Sequence, residues 1–229
     1  MDNKKNYEQH YMKQIERIME TTAELALEKG IDGINITSIA KACHLSRPTI
    51  YRYFKTKEDI LWVIFFQEAH KMEQHIAARF SSEDDLYLRA CKVAQGMIEF
   101  QLQNDHFIIY NDIFLSLYVK ASEDANYRWE EQETNIYHFR PGRTITHLFG
   151  DVVDLDQDLQ LKQTMVAFVY AISYLMQAIL RQDEALQVKY SISAKTLLFK
   201  QVSWLMEGLG RELENMGYQT SETPFSLSL

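Results

Sequence analysis

Between Asn35 and Lys57 the sequence NITSIAKACHLSRPTIYRYFKTK carries Lys41, Arg47, Arg52, Lys55 and Lys57 without a single aspartate or glutamate. Cationic side chains in such a run can neutralise phosphates, and an arginine can also fork onto the O6 and N7 acceptors of a guanine. Tyr51 and Tyr53 are interleaved with them and offer hydroxyl donors to a nucleic-acid backbone. Other chemistries have no comparable support. His70 and His75 are five apart and do not share a helix face, and no other metal-ligand spacing stands out. HExxH, GxSxG, P-loop and GxGxxG patterns are missing from the sequence. The expectation is therefore no catalytic group, no metal and no cofactor: a protein that binds and is not an enzyme. Scattered carboxylates such as Glu99, Asp105 and Asp112 read as solvated or paired.

Two short helices must position these residues. Asn35 is a good N-cap, and Ile36, Ile39 and Ala40 recur at helical spacing until Cys43-His44. Ser46 caps a second helix with Pro48 in its first turn, where the missing N–H costs nothing. Ile50 and Phe54, at i and i+4, turn inward and leave Arg47, Thr49, Tyr51, Arg52 and Tyr53 on other faces. Thr56-Lys57-Glu58-Asp59 fits a capping box for a further helix. Helix, turn, basic helix is the arrangement that enters the DNA major groove. Thr37 at the front of the first helix and Arg47, Pro48 and Thr49 at the front of the second are placed to reach base edges. Asn35, Tyr51, Tyr53 and Lys57 are placed to hold phosphates, and Arg52 suits either role.

Charge is divided to match. Up to Lys57 the chain has ten basic and seven acidic residues, a net of +3, whereas the rest carries a net of −11. A mildly basic head on an acidic body implies that only the head meets a polyanion. The 229 residues, 46% hydrophobic with only eight glycines and three prolines, indicate an all-α chain with a substantial core. Cys43 and Cys91 read as free thiols of a reducing compartment. The N-terminus has no apolar signal region, and the charge-free stretch 165–180 is shorter than a bilayer needs. A cytoplasmic protein with no membrane partner is the expectation.

Further along, Ile15, Ile18, Met19, Thr22, Leu25 and Ala26 mark one face of a first helix ended by Gly30, preceded by a polar arm read as disordered. A helix from Lys57 to about Phe80 contains the apolar run Trp62-Val63-Ile64-Phe65-Phe66, which must be buried on more than one side. Ser82 before Glu83-Asp84-Asp85 suggests the next helix start, and a nearly all-apolar helix is expected from His106 to Lys120. Near the C-terminus, apolar residues at heptad-like spacing run from Leu161 to Ile179 and from Leu198 to Leu209, each with a second apolar set beside it.

Gly30-Ile31, Ile39-Ala40, Ser46, Pro48-Thr49-Ile50-Tyr51, Phe54 and Lys57 resemble the DNA-binding signature of the tetracycline-repressor (TetR) family. The resemblance covers roughly residues 10 to 65. One departure is His44, which stands where that family usually has glycine in the turn; histidine tolerates a positive φ at some cost. The resemblance implies a head at 1–57 with a three-helix DNA-binding fold and a ligand-binding and dimerisation domain at 58–229. It implies a homodimer built by the last helix pair, with Leu175, Met176, Leu198, Val202, Leu205 and Leu209 as interface candidates and the choice of stripe open. It also implies a small-molecule effector, apolar or aromatic, in a body pocket. Candidate lining residues are Phe66, Phe100, Phe107, Tyr110, Phe114, Tyr118, Tyr127, Trp129, Phe168 and Tyr174, although aromatic residues at helical spacing more often form plain core. The functional expectation is a ligand-released repressor acting as a homodimer on a palindromic operator in double-stranded DNA. The alternative is a ligand-sensing adaptor whose helix-turn-helix docks on a protein.

Overall fold

The computed structural model describes residues 2–104 and 148–220, with side chains from residue 9 onward. The described residues are helical with no strand among them, as the composition implies. They fall into two compact units that divide inside one helix, between His70 and Lys71.

In the first unit, α1 spans Asp2–Lys29 and buries Ile15, Ile18, Met19, Thr22, Leu25 and Ala26. That is the face its periodicity predicts. The polar arm is not separate from it, because helical backbone begins at Asp2. Its residues include no glycine or proline, so nothing in the covalent chain stops the helix from extending. Thr22, fully buried, satisfies its hydroxyl by donating to the Ile18 carbonyl at 2.7 Å. Beyond α1, Gly33 is obligatory: a Cβ there would sit 2.2 Å from the Lys29 carbonyl oxygen. Helices α2 (Ile36–Ala42) and α3 (Arg47–Tyr51) follow. Then α4 (Lys57–Ala77) begins, and Ile60 to Phe66 are all buried, with Trp62 stacked on Phe66 at 5.4 Å between ring centroids. A run buried on every side is what the five-residue apolar stretch demands.

The second unit is built on α5 (Leu86–Gln103), α6 (Leu159–Leu180), α7 (Asp183–Tyr190) and α8 (Ala194–Asn215). Helix α5 starts later than Ser82. Asp85 is its N-cap, accepting from the Leu88 amide at 2.7 Å, while Asp84 closes the preceding turn by accepting from the Ser81 amide. Of three consecutive acidic residues, only the last is placed to cap. Gly96 lets α5 approach the end of α4, since a Cβ there would lie 2.8 Å from Ile76 Cγ1. Helices α6 and α8 pack lengthwise. Leu161, Met165, Phe168, Ile172, Met176 and Ile179 face Ala194, Leu198, Val202, Met206, Leu209 and Leu213 in one core. By length and composition α6 could cross a membrane, yet this stripe is buried in the protein's own core. The short α7 between them has no counterpart in the sequence reading and buries no residue.

A buried ion pair lies inside this unit. Arg89 is 0% exposed, with its guanidinium 3.9 Å from the centroid of the Phe80 ring. Nε donates to Asp84 at 3.2 Å, and both terminal nitrogens fork onto the Asp151 carboxylate at 2.6 and 2.9 Å. The carbonyls of Ser81 and Leu148 accept the remaining donors. Lys92 gives Asp84 a second cation. Burial pushes the Asp84 carboxyl up, but the hydrogen bonds from Lys92, the Ser81 amide and Arg89 outweigh it and hold it below the usual range. The Arg89 hydrogen bonds lower Asp151 as well. Both carboxylates therefore stabilise the fold above their unfolded pKa, and that contribution is lost as pH falls through their lowered native values. Replacing Arg89 by methionine takes the shared cation from both carboxylates and is expected to cost about 3–5 kcal/mol. Urea unfolding followed from pH 7 down to pH 3 should show the wild type losing stability at acid pH and Arg89→Met losing markedly less.

Candidate nucleic-acid interface

Helices as short as α2 and α3 exist only because both ends of each are closed. The Asn35 side chain accepts from the Ser38 amide at 2.9 Å, and the Ser38 hydroxyl accepts from the Asn35 amide at 2.9 Å, a reciprocal box. At the other end of α2, the His44 amide donates to Lys41 at 3.1 Å and the Leu45 amide to Ala40 at 2.9 Å. That is a Schellman closure, and it requires a left-handed residue at His44. His44 adopts φ +52, so the turn keeps its geometry without the usual glycine. Ser46 then caps α3 by accepting from the Thr49 amide at 3.2 Å, with Pro48 in the first turn. Ile50 and Phe54 anchor α3 below, at 0% and 3% exposure. Thr56 and Asp59 exchange hydrogen bonds of 3.1 and 2.9 Å at the start of α4, which confirms the third predicted cap. Asp59 also accepts from the Lys55 amide, so its carboxylate is occupied by backbone.

Above this scaffold the predicted contact residues share the first unit. Thr37, Arg47, Pro48, Asn35 and Arg52 are exposed, as is Tyr51 at 47%. Arg47 and Arg52 have no hydrogen-bond or ion-pair partner among the described residues. Thr49 and Tyr53 are half-buried; the Tyr53 ring tilts against Tyr11 with centroids 5.0 Å apart. Lys57 differs from its neighbours. Its Nζ donates to the Ile31 carbonyl at 3.0 Å, part-buried, and so braces the start of α4 against the turn after α1. The sequence reading placed it on phosphate alone. A second brace, Arg17 to the Cys43 carbonyl at 2.9 Å, ties α1 to the end of α2. Neither brace is visible in the sequence, because each joins residues twenty-six apart through a backbone oxygen. Burial raises the pKa of the nearby Cys43 thiol, so it stays protonated and packs as a small apolar group.

Residues 18–62 match the family model for bacterial regulatory proteins, tetR family. The match covers the head alone, from within α1 to the start of α4. Within the match, α2, the turn and α3 have the helix-turn-helix arrangement, with α3 in the place of the helix that enters the major groove. Among solved structures, one from Mesorhizobium loti MAFF303099 assigned to the TetR family is similar in fold, with a TM-score of 0.51 at 15% identity over 88% of this chain and 97% of that one. Another assigned to the same family, from Shewanella sp. PV-4, aligns with a TM-score of 0.49 at 15% identity over 89% and 97% of the two chains. No curated protein matches this chain.

The other predicted sites fare differently. Of the effector-pocket candidates, Phe107, Tyr110, Phe114, Tyr118, Tyr127 and Trp129 lie outside the described residues. Phe66 is buried in the first unit, and Phe100 and Phe168 in the second. Tyr174 is 52% exposed beside Tyr170 on the outer face of α6, so it lines no cavity in the core. Among the dimer candidates, Met176, Leu198, Val202 and Leu209 are consumed by the chain's own core, and only Leu175 and Leu205 remain partly exposed. A residue at 0–6% exposure in a single chain has no surface left to offer a partner.

Arg47 and Pro48 stand exposed at the front of α3. Arg47→Ala is expected to cost about 1–3 kcal/mol on the preferred site and to relax the preference at one base pair per half-site. Binding measured against a panel of single-base operator variants checks this; an equal loss on every sequence would place Arg47 on phosphate instead.

Proposed function

We propose that this protein is a ligand-released repressor that acts as a homodimer on a palindromic operator in the cytoplasm. The observation that carries the DNA side is the acid-free face formed by α2, the turn and α3, with Arg47 unpaired at its front. A lone helix-turn-helix reads a half-site, and two-fold symmetry is the usual way to read a whole one. The surface best suited to a second copy is the outer stripe of α6 and α8. There Tyr170, Tyr174 and Trp204 are exposed at 42%, 52% and 58%, flanked by half-buried Val169, Leu175, Leu197 and Leu205. Large aromatic residues left on one face of a helix pair mark an interaction surface more strongly than scattered leucines do.

In this reading the effector occupies the second unit and acts through α4, which runs through the boundary between the units. Displacing the far end of α4 moves its beginning, where Lys57 is hooked to Ile31. The dimer's two recognition helices must sit about 34–36 Å apart or a multiple of that, so a shift of a few ångströms breaks the register.

An outward charge should separate the two copies. Tyr174→Glu and Trp204→Glu are each expected to give a helical monomer that no longer binds operator, measured by sedimentation alongside circular dichroism. Wild-type protein that sediments as a monomer at micromolar concentration would refute the interface. Ligand and operator must also oppose each other equally, by about 5- to 150-fold for a coupling of about 1–3 kcal/mol. Calorimetric titration of a ligand found by screening, with and without operator duplex, measures this. Equal affinities in both titrations would disconnect the pocket from the head.

A further inference from the structure

A cleft of about 230 Å³ opens in the head between α1 and the recognition helix. Its lining includes His10, Tyr11 and Gln14 from α1, and Thr49, Arg52 and Tyr53 from α3 and the residues that end it. The lining contains no carboxylate, although the chain as a whole is acidic. Several of its polar groups have unused capacity. The Arg52 guanidinium and the exposed His10 imidazole have no partner among the described residues, and the Gln14 Oε1 atom is buried without a hydrogen bond. The Gln14 amide borders the cleft and is free to meet a group placed there. Rotating the Gln14 amide by half a turn would place its NH₂ there and convert the unused acceptor into a donor. Arginine, an amide donor and an imidazole then converge on a space several times the ~30 Å³ share of one water. That set is suited to a tetrahedral oxyanion.

We propose, building on the DNA-binding reading above, that this cleft seats one backbone phosphate of the bound duplex, so that α1 and α3 grip the DNA together. The position of Arg52 favours this over base contact. In a helix-turn-helix the front of the recognition helix reads base edges, and Arg52 is the C-cap at the opposite end, behind Tyr51. Tyr11 is a positioning residue: its ring lies against that of Tyr53 and restricts its movement. The helical backbone from Asp2 onward thus serves to carry His10, Tyr11 and Gln14 to the flank of the recognition helix. The seat adds affinity without sequence information, and it widens the footprint by a phosphate outside the bases that Arg47 reads.

The test uses the full chain on a duplex selected from random sequence, with salt titrations and phosphate-ethylation interference. Arg52→Ala is expected to weaken binding about tenfold or more on every sequence and to reduce the slope of log K against log salt by about 0.9, the value for one phosphate. Ethylation of one phosphate flanking the half-site should block the wild type and no longer matter to Arg52→Ala. Gln14→Glu keeps the side-chain shape but adds a negative charge, and should also weaken binding on all sequences. His10→Ala, at the exposed rim where it cannot unsettle the core, should cost about two- to tenfold. Normal affinity and an unchanged salt slope in these variants, with salt-dependent binding by the wild type, would overturn the seat and leave the DNA reading standing. Saturable binding of inorganic phosphate that these substitutions abolish, with DNA affinity untouched, would make the cleft a site for a free anion and overturn it equally. A wild type that binds no duplex at low salt would remove the DNA reading itself.

Discussion

A helix of five residues has no stability of its own, and α3 is no longer than that. The DNA reading proposed for the head depends on holding that one turn in place. Three caps and one Schellman closure do so within twenty-five residues, each worth about 1 kcal/mol in typical hosts. The tight point is His44. A left-handed histidine is less comfortable than glycine, and the closure survives because the hydrogen bonds on either side of it and the burial of Ile39, Ala40 and Ile50 over-determine the turn. Local closure and core anchoring are therefore one device. Remove the anchors and the caps have nothing to orient; remove the caps and a single buried isoleucine cannot keep a helix wound.

The second unit solves a different problem. Its α6–α8 core is long, apolar and regular, which gives stability but little to fix the chain entering it. Arg89 supplies that definition. By joining the turn before α5 to the segment around Asp151 through five donors, it specifies one arrangement where apolar packing alone would tolerate several. A buried arginine is a poor source of stability when compared with leucine, because its desolvation offsets most of the attraction. Its value lies in directionality. Few side chains other than arginine could fork onto a carboxylate and still satisfy two carbonyls.

Charge separates the roles of the two units. The head concentrates cations in one acid-free stretch, while the rest of the chain carries a net charge of −11. The aromatic residues on the outer stripe of α6 and α8 stand apart from both, neither charged nor consumed by core.

The sequence by itself determined the local features. Caps, the αL turn, the inward face of α1 and the buried run in α4 all follow from side chains acting within four residues of themselves, and those forces are written in spacing. It also determined which residues carry charge into the DNA face, since charge does not depend on packing. What only the tertiary structure decided was the use of groups far apart in the chain. Leu175 and Met176 look alike in a heptad, and packing against α8 alone sends Met176 inward and leaves Leu175 partly exposed. Lys57 reads as a phosphate ligand until Ile31 is found 3.0 Å away. The arm before His10 reads as disorder, yet its backbone is helical from Asp2 as the first turns of α1. For Met176 and Lys57 the deciding partner is distant in sequence or is a backbone oxygen, and neither leaves a pattern that periodicity can register.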